Sequence, residues 1–145
     1  MKNTVITALG IIGGFVVSML GGWSSALATL IVFMAVDYLT GLIAAGIFKK
    51  SPKTASGALN SGVGFKGIFK KIGILFVVML AYRLDITANT NFVKNSVIIA
   101  YIANEFLSIT ENLALMGIYM PSAVKKAIDV LQRDKKGDEN NENFN

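Results

Sequence analysis

Two residue types are missing from this 145-residue chain, cysteine and histidine. Without cysteine the chain has no disulfide framework and no thiol chemistry. Without histidine it lacks the commonest general base and the commonest metal ligand. The acidic residues inside the apolar segments are isolated, and no Gly-rich phosphate loop follows a strand. We therefore predict no cofactor, no metal site and no enzymatic activity.

Charge is also scarce. Only 16% of the residues are charged and 53% are hydrophobic, whereas an ordinary soluble domain has roughly 25% charged residues. Between Asn3 and Phe48 the only formal charge is Asp37. A soluble domain of this size could not easily bury such a run, so the sequence predicts an integral membrane protein.

The apolar segments predict an all-α fold with four transmembrane helices, at about 4–20, 26–48, 68–87 and 95–118. Each has or approaches the ~17–25 residues needed to cross a bilayer. A three-span count, with the first or the more polar fourth segment lying in the interface, stays open. Residues 26–28 (Ala-Leu-Ala) have the form of a signal cleavage site, but cleavage would leave a chain that begins inside an apolar run. We expect the segment to be retained.

A basic connection, residues 49–67, joins the second and third spans. Positive residues mark the cytoplasmic side of membrane proteins, so four spans place both termini there as well. The lysines of this connection and of the following turn are expected to anchor the chain among anionic lipid headgroups, and since topology explains them no nucleic-acid partner is predicted. These lysines are Lys49, Lys50, Lys66, Lys70 and Lys71.

The remainder of the chain follows the membrane domain of residues 1–121. Residues 122–145 begin with an amphipathic pattern from Ser122 to Arg133, which predicts a short cytoplasmic helix. A charged, Asn-rich tail of residues 134–145 follows, and we expect it to be disordered.

Small residues recur at every fourth position of the first span and its end, and one more lies in the second span. Such spacing leaves one helix face almost without side chains, which lets another helix approach closely. The alternative is that glycine is simply frequent in membrane helices. The residues expected to pack in this way are Gly10, Gly14, Ser18, Gly22 and Gly41.

Asp37 lies at the middle of the second span, where a lone carboxylate needs a partner. On an antiparallel third span, Arg83 would lie at a similar depth. We therefore predict an intramembrane Asp37–Arg83 charge pair. The alternative is that Arg83 reaches the outer interface while Asp37 is protonated and hydrogen-bonded.

The fourth span carries a polar stripe. At ~100° per residue, five polar side chains between residues 104 and 112 share an arc of roughly 120°, and the same face continues toward the start of the helix. Polar groups in hydrocarbon cost several kcal/mol unless they are satisfied, so the stripe faces either protein or a water-filled lumen. Its members are Tyr101, Asn104, Glu105, Ser108, Glu111 and Asn112.

Four stretches occur in an order typical of one family: VDYLTG (36–41), GFKGIFKK (64–71), RLD (83–85) and NEFLSITENLALMGIYMP (104–121). Together they give a chain that resembles the phage-lysis and toxin-secretion holin family. The resemblance implies a homo-oligomer in the bacterial cytoplasmic membrane that opens lesions. Through these a partner lysin or toxin is released, without necessary direct contact.

Two other classes of function remain open. Short spans with intramembrane carboxylates also suit a small proton-coupled multidrug-type transporter or an ion channel. A non-conducting membrane scaffold would use the stripe only for packing. The size of the solute that passes separates these functions, because a holin lesion admits macromolecules.

Overall fold

A computed structural model of the chain describes residues 2–127 and 129–130. It contains four long helices, which are α1 (Lys2–Met19), α2 (Ser25–Gly46), α3 (Ser61–Ala88) and α4 (Val93–Leu115). Residues 122–127 and 129–130 are also helical, and the described residues contain no strand. The all-helical class is therefore confirmed. Of the predicted C-terminal amphipathic helix, residues 128 and 131–133 lie outside the described residues, as does the tail 134–145.

Local chemistry explains the turn between α1 and α2. Gly21 and Gly22 both have φ of +82°, a left-handed conformation that glycine adopts without a Cβ clash. The next helix begins because the Ser24 hydroxyl oxygen accepts a hydrogen bond from the Leu27 N–H, at 3.2 Å. Such an N-cap satisfies one of the donors that the first helical turn leaves unpaired.

The connection between α2 and α3 is shorter than predicted. Asn60 acts as the N-cap of α3, with its side-chain oxygen accepting from the Val63 N–H at 3.3 Å. Residues 61–67, assigned from the sequence to the basic loop 49–67, therefore form the first turns of a 28-residue helix. The sequence Asn60-Ser61-Gly62 is typical of a turn. In the structure Asn60 instead caps the helix that begins at Ser61.

The end of α4 also differs from the prediction. The sequence suggested that the helix continues to Ile118, before Pro121, but it ends at Leu115. Gly117 has φ of +81°, and the Ile118 N–H donates to the Leu113 carbonyl at 3.1 Å. This is a glycine C-terminal motif in which the chain turns back on the last carbonyls, so glycine ends the helix before proline can.

The start of α4 is capped by a residue of the preceding helix. Phe92, the residue before the helix, makes no side-chain cap. Instead the buried carboxylate of Asp85 on α3 accepts from the backbone N–H groups of Val93 and Lys94, at 3.0 and 2.8 Å, and from the Thr90 hydroxyl at 2.6 Å. A negative charge at a helix N-terminus is also favoured by the helix dipole. Asp85 thus joins α3 to α4 at this end.

Helices α2, α3 and α4 form a bundle in which α4 lies against both of the others. Gly21 lies beside Tyr82 and Lys94 at one end, and Asp37 lies beside Lys71 and Asn112 further along. It follows that α2 and α4 run in the same direction and α3 runs opposite. The fully buried core side chains come from all three helices, and they are Leu27, Leu30, Val78 and Ile98.

Helix α1 stands apart from this bundle. None of its residues is buried, and a Cβ atom at Gly10 or Gly14 would meet nothing within 4 Å. Among the described residues, α1 and α2 are the helices that are long and apolar enough to cross a membrane by length and composition.

Replacing Asp85 with alanine removes the cap of α4, and we expect a loss of about 1–2 kcal/mol in free energy of unfolding, as for other N-caps. The measurement is a denaturant titration in detergent followed by circular dichroism, with amide exchange at Val93 and Lys94 as a local readout. Arg83→Ala, two residues away and exposed, serves as the control. Equal losses from the two variants would contradict the capping role.

Candidate functional site

The bundle contains one group of paired charges, made by three residues from three helices. Lys71 of α3 places its Nζ 2.8 Å from Asp37 Oδ2 of α2, and the same ammonium donates to Glu105 Oε2 of α4. The side chains of Asp37, Lys71 and Glu105 are 13%, 15% and 5% exposed, respectively. We call this group the charge triad. Because a lysine ammonium has three donors, one Lys71 can bind both carboxylates at once.

Asn112 extends the charge triad along α4. Its amide nitrogen lies 3.2 Å from Asp37 Oδ1, 3.3 Å from the Asp37 carbonyl oxygen and 3.1 Å from the Thr40 hydroxyl oxygen. The Thr40 hydroxyl in turn lies 2.9 Å from the Val36 carbonyl. Every buried side-chain polar atom in the described residues has a hydrogen-bond partner, so the network is closed, as buried polar networks must be to be tolerated.

The predicted Asp37–Arg83 pair is wrong. Asp37 pairs with Lys71, while Arg83 is exposed and lies about 18 Å further along α3, at 1.5 Å per residue. The reason is helix register. Because α3 already begins at Ser61 and Gly21 lies against Tyr82, the residue of α3 level with Asp37 is Lys71, while Arg83 is level with the start of α2.

The polar stripe divides between different environments. Glu105 and Asn112 are buried, and Asn104 and Ser108 line the same cleft with them. The other two members differ, since Tyr101 packs against the apolar core and Glu111 is exposed. Glu105 and Glu111 occupy opposite ends of the predicted arc, so a helix that buries one carboxylate can leave the other outside.

The cleft beside the charge triad has a volume of about 280 Å³. Its walls come from α2, α4 and the first turns of α3, and parts of the connection 51–60 line it as well. That connection is held by backbone hydrogen bonds, including Ser51 N–H to the Gly57 carbonyl at 2.9 Å. Gly57, at φ +69°, is needed there because a Cβ would clash with the Lys49 carbonyl oxygen.

The predicted packing residues have different neighbours. A Cβ at Gly41 would lie 3.6 Å from Asn112 Nδ2, so Gly41 lies where α2 contacts α4 beside the charge triad. Gly10, Gly14 and Gly22 have nothing within 4 Å of a Cβ position, and Ser18 belongs to the same exposed helix. The small-residue face of α1 is therefore open within the described chain.

Of the lysines predicted to anchor the chain, Lys49, Lys50, Lys66 and Lys70 are exposed. Lys71 is not, because its ammonium is held between the two carboxylates inside the bundle. The prediction that Lys71 is one of the lysines anchoring the chain at the membrane surface is therefore corrected. Adjacent positions on a helix differ by about 100°, so Lys70 faces outward while Lys71 faces the interior of the bundle.

A second polar cluster lies at the opposite end of the bundle. Lys94 Nζ donates to the Gly21 carbonyl at 3.3 Å and lies 5.5 Å from the ring centre of Tyr82. A cation over an aromatic face is attracted to it. This cluster holds the α1–α2 turn against α3 and α4. Sequence reasoning missed it, as it missed the cap by Asp85, because both depend on which helix ends meet.

No group of three or more acidic, histidine or cysteine side chains in the described part of the chain is arranged to hold a metal ion. The geometry instead gives a closed network of charges inside a three-helix bundle, together with two helices long and apolar enough to cross a membrane. Comparison with known sequences assigns this protein to a family. The chain belongs to the bacteriophage holin family, whose sequence model matches residues 14–133.

The chain is also similar to several proteins of comparable length, one of which supports the assignment. The chain is 33% identical over 106 residues to a protein of Bacillus phage phi105 described as a probable holin, covering 72% of this chain and 73% of that protein. It is 39% identical over 138 residues to an uncharacterized protein of Listeria innocua, covering 93% and 92% of the two chains. An uncharacterized protein of Bacillus subtilis is 37% identical over 113 residues, with 77% and 75% covered. No solved structure matches the chain significantly.

Replacing Lys71 with methionine leaves two carboxylates without their counter-charge. We expect a loss of about 3–5 kcal/mol in free energy of unfolding in detergent, as when one partner of a buried ion pair is removed. Adding Asp37→Asn and Glu105→Gln to this variant is expected to restore much of the loss, because no unpaired charge then remains.

The matched control for this series is Lys70→Met. It removes the same charge from the neighbouring position, which is exposed, and we expect it to change stability by less than about 0.5 kcal/mol. If Lys70→Met destabilises the protein as much as Lys71→Met does, the charge triad does not hold the bundle together.

Proposed function

We propose that this protein is a holin that oligomerises in the bacterial cytoplasmic membrane and forms lesions through which a lysin or a toxin leaves the cell. The observation that carries the proposal is the match of the holin family model to residues 14–133. The phage relative described as a probable holin supports it. The network of charges inside the bundle supplies a physical mechanism.

The proposed topology has four spans, formed by α1, α2, α3 and α4, with both termini in the cytoplasm. The length and apolar character of α1 and α2 support the first two spans. The pairing of Lys71 with two carboxylates supports the third and fourth, because it reduces the net charge that α3 and α4 would carry into the bilayer. The exposed lysines of the α2–α3 connection support the cytoplasmic placement of that connection.

In the proposed closed state, α4 keeps Glu105 and Asn112 against Asp37 and Lys71, away from lipid. The triad has two carboxylates and one ammonium, so its charges do not balance when all three groups are ionised. Contact with water would relieve the burial of this excess charge. The buried excess charge therefore favours the open state, in which water can hydrate the carboxylates.

Assembly supplies the route to the open state in this proposal. The small-residue face of α1, containing Gly10, Gly14 and Ser18, has no neighbour within the described chain and is available to a helix of another copy. At sufficient density, copies would join through this face and turn the polar residues of α4 toward a shared aqueous lumen. Glu105, Ser108 and Asn112 would then line water rather than pack on protein.

A small proton-coupled transporter or an ion channel is the second candidate. The specific observation that favours it is the pair of carboxylates beside a cleft of about 280 Å³, since intramembrane carboxylates are the usual proton carriers of transporters. The two functions differ in what crosses the membrane. A transporter shows saturable flux of a small solute, whereas a holin lesion passes a folded enzyme.

The experiment that separates them is regulated expression in a bacterium that also carries a cytoplasmic lysin without a secretion signal. Membrane potential and lysin release are followed in the same culture. For a holin we expect an abrupt loss of potential together with lysis. Saturable, proton-linked solute flux without lysin release would favour the transporter, and an unchanged potential would favour a non-conducting scaffold.

The double variant Glu105→Leu/Glu111→Leu tests the role of the polar stripe. It leaves Lys71 with Asp37 as a balanced pair, so we expect normal insertion and helicity but no lysis within the time in which the unaltered protein lyses. Asp129→Leu, which removes an exposed carboxylate outside the proposed spans, is the control and should lyse on schedule. Normal lysis by the double variant would exclude a lumen-lining role for the two glutamates.

A further inference from the structure

Two neighbouring depressions on the bundle share part of their walls. One is the cleft beside the charge triad. The other is a shallower groove along the seam between α2 and α3, with a volume of about 320 Å³. Both are bounded by Tyr38, Leu42, Leu59, Asn60 and Gly64. A single elongated molecule could therefore occupy both.

The two depressions differ in chemistry. The cleft has Lys53 and Lys70 on its wall, and both are exposed. The ion pairs among the described residues are the two made by Lys71, so Lys53 and Lys70 have no carboxylate partner there. The carboxylates of Asp37 and Glu105 also line the cleft, but both are held by Lys71, so within the described residues the positive charges of Lys53 and Lys70 are not paired.

The groove is mainly apolar. Leu59, Phe65 and Ile68 line it and are 55%, 63% and 40% exposed. Its depth depends on a missing side chain, because Gly64 lines the groove and a Cβ there would lie 3.6 Å from the Tyr38 hydroxyl oxygen. A larger residue at this position would fill the seam. Apolar surface open along a seam beside unpaired cations is complementary to an amphiphile with an anionic head.

We propose that the cleft and the groove together bind one molecule of an acidic phospholipid. Its phosphate lies between the ammonium groups of Lys53 and Lys70, and an acyl chain lies along Phe65 and Ile68. Lysine is a strong point-charge partner for phosphate, and a zwitterionic lipid would bring its own cation toward the same lysines. The proposal rests on the membrane placement given above, but lesion formation is not needed for it.

The proposed site differs from the general electrostatic attraction between a basic loop and a negatively charged membrane. General attraction depends on the number of positive charges, since each lysine near the surface contributes a similar amount. A built site depends on which lysines are present. Lys49 and Lys50 belong to the same connection and are exposed, but they do not line the cleft, which provides a matched comparison.

The test is native mass spectrometry of the purified full-length chain in neutral detergent, titrated with phosphatidylglycerol or with phosphatidylcholine of the same acyl chains. We expect one phosphatidylglycerol per chain to bind saturably, about tenfold more tightly than phosphatidylcholine. Lys53→Gln/Lys70→Gln should weaken phosphatidylglycerol binding about tenfold or more. Lys49→Gln/Lys50→Gln should change it less than twofold.

A second pair of variants tests the groove. Phe65→Gln should weaken phosphatidylglycerol binding severalfold, whereas Phe69→Gln, an equally exposed phenylalanine outside the groove, should not. If the two double lysine variants weaken phosphatidylglycerol binding equally, binding depends only on the number of positive charges, and the proposal is overturned. The proposal would also be overturned by equal binding of the two lipids, equal effects of the two phenylalanine variants, or competition by glycerol phosphate at lipid-like concentrations, which would indicate a free-phosphate site. Because binding is measured on purified protein, failure here is distinct from failure to lyse cells.

Discussion

One ammonium group shared between two carboxylates is the interaction on which the bundle depends. Lys71, Asp37 and Glu105 lie on three different helices. Few other polar side-chain contacts join the middle parts of these helices. The close approach at Gly41 and the hydrogen bonds of Asn112 surround this point. In a bilayer, helices gain little from apolar packing alone because lipid is equally apolar. A charged contact among three helices therefore adds a specific polar interaction to their association, in the register that the helix ends establish.

The same contact connects the fold to the proposed function. A holin must remain harmless in the membrane and then open, so its polar surface needs a covered state of moderate stability. Glu105 and Asn112 are buried in the bundle, yet the two acids and one base of the charge triad remain an unbalanced group that water would stabilise. Helix α1, which buries none of its residues against the bundle, leaves a face for contacts between copies. In the proposed mechanism, closure within one chain and association between chains therefore use different helices.

Much of the fold follows from the sequence, since apolar runs, glycine pairs and the polar stripe predict four helices and their turns. The family was also recognisable, because several short motifs occur in order. The partner of Asp37 was not predictable. It depends on where α3 begins, and Asn60 moves that start well before the apolar run. The burial of Glu105 but not Glu111 depends in turn on how α4 rotates against α2, which a periodic pattern on one helix does not specify.

In the proposed mechanism the polar face of α4 is covered in the closed state and exposed to water in the lesion. The absence of native cysteine allows a direct measurement with Asn112→Cys, since Asn112 is only 9% exposed and maleimide reacts with thiols in water. With a membrane-permeant maleimide, we expect little labelling of Asn112→Cys before lysis and rapid labelling at its onset, while Ser122→Cys, at an exposed position, labels throughout. Labelling of Asn112→Cys that is equal before and after lysis, or absent at both times, would show that the face does not move from protein to water.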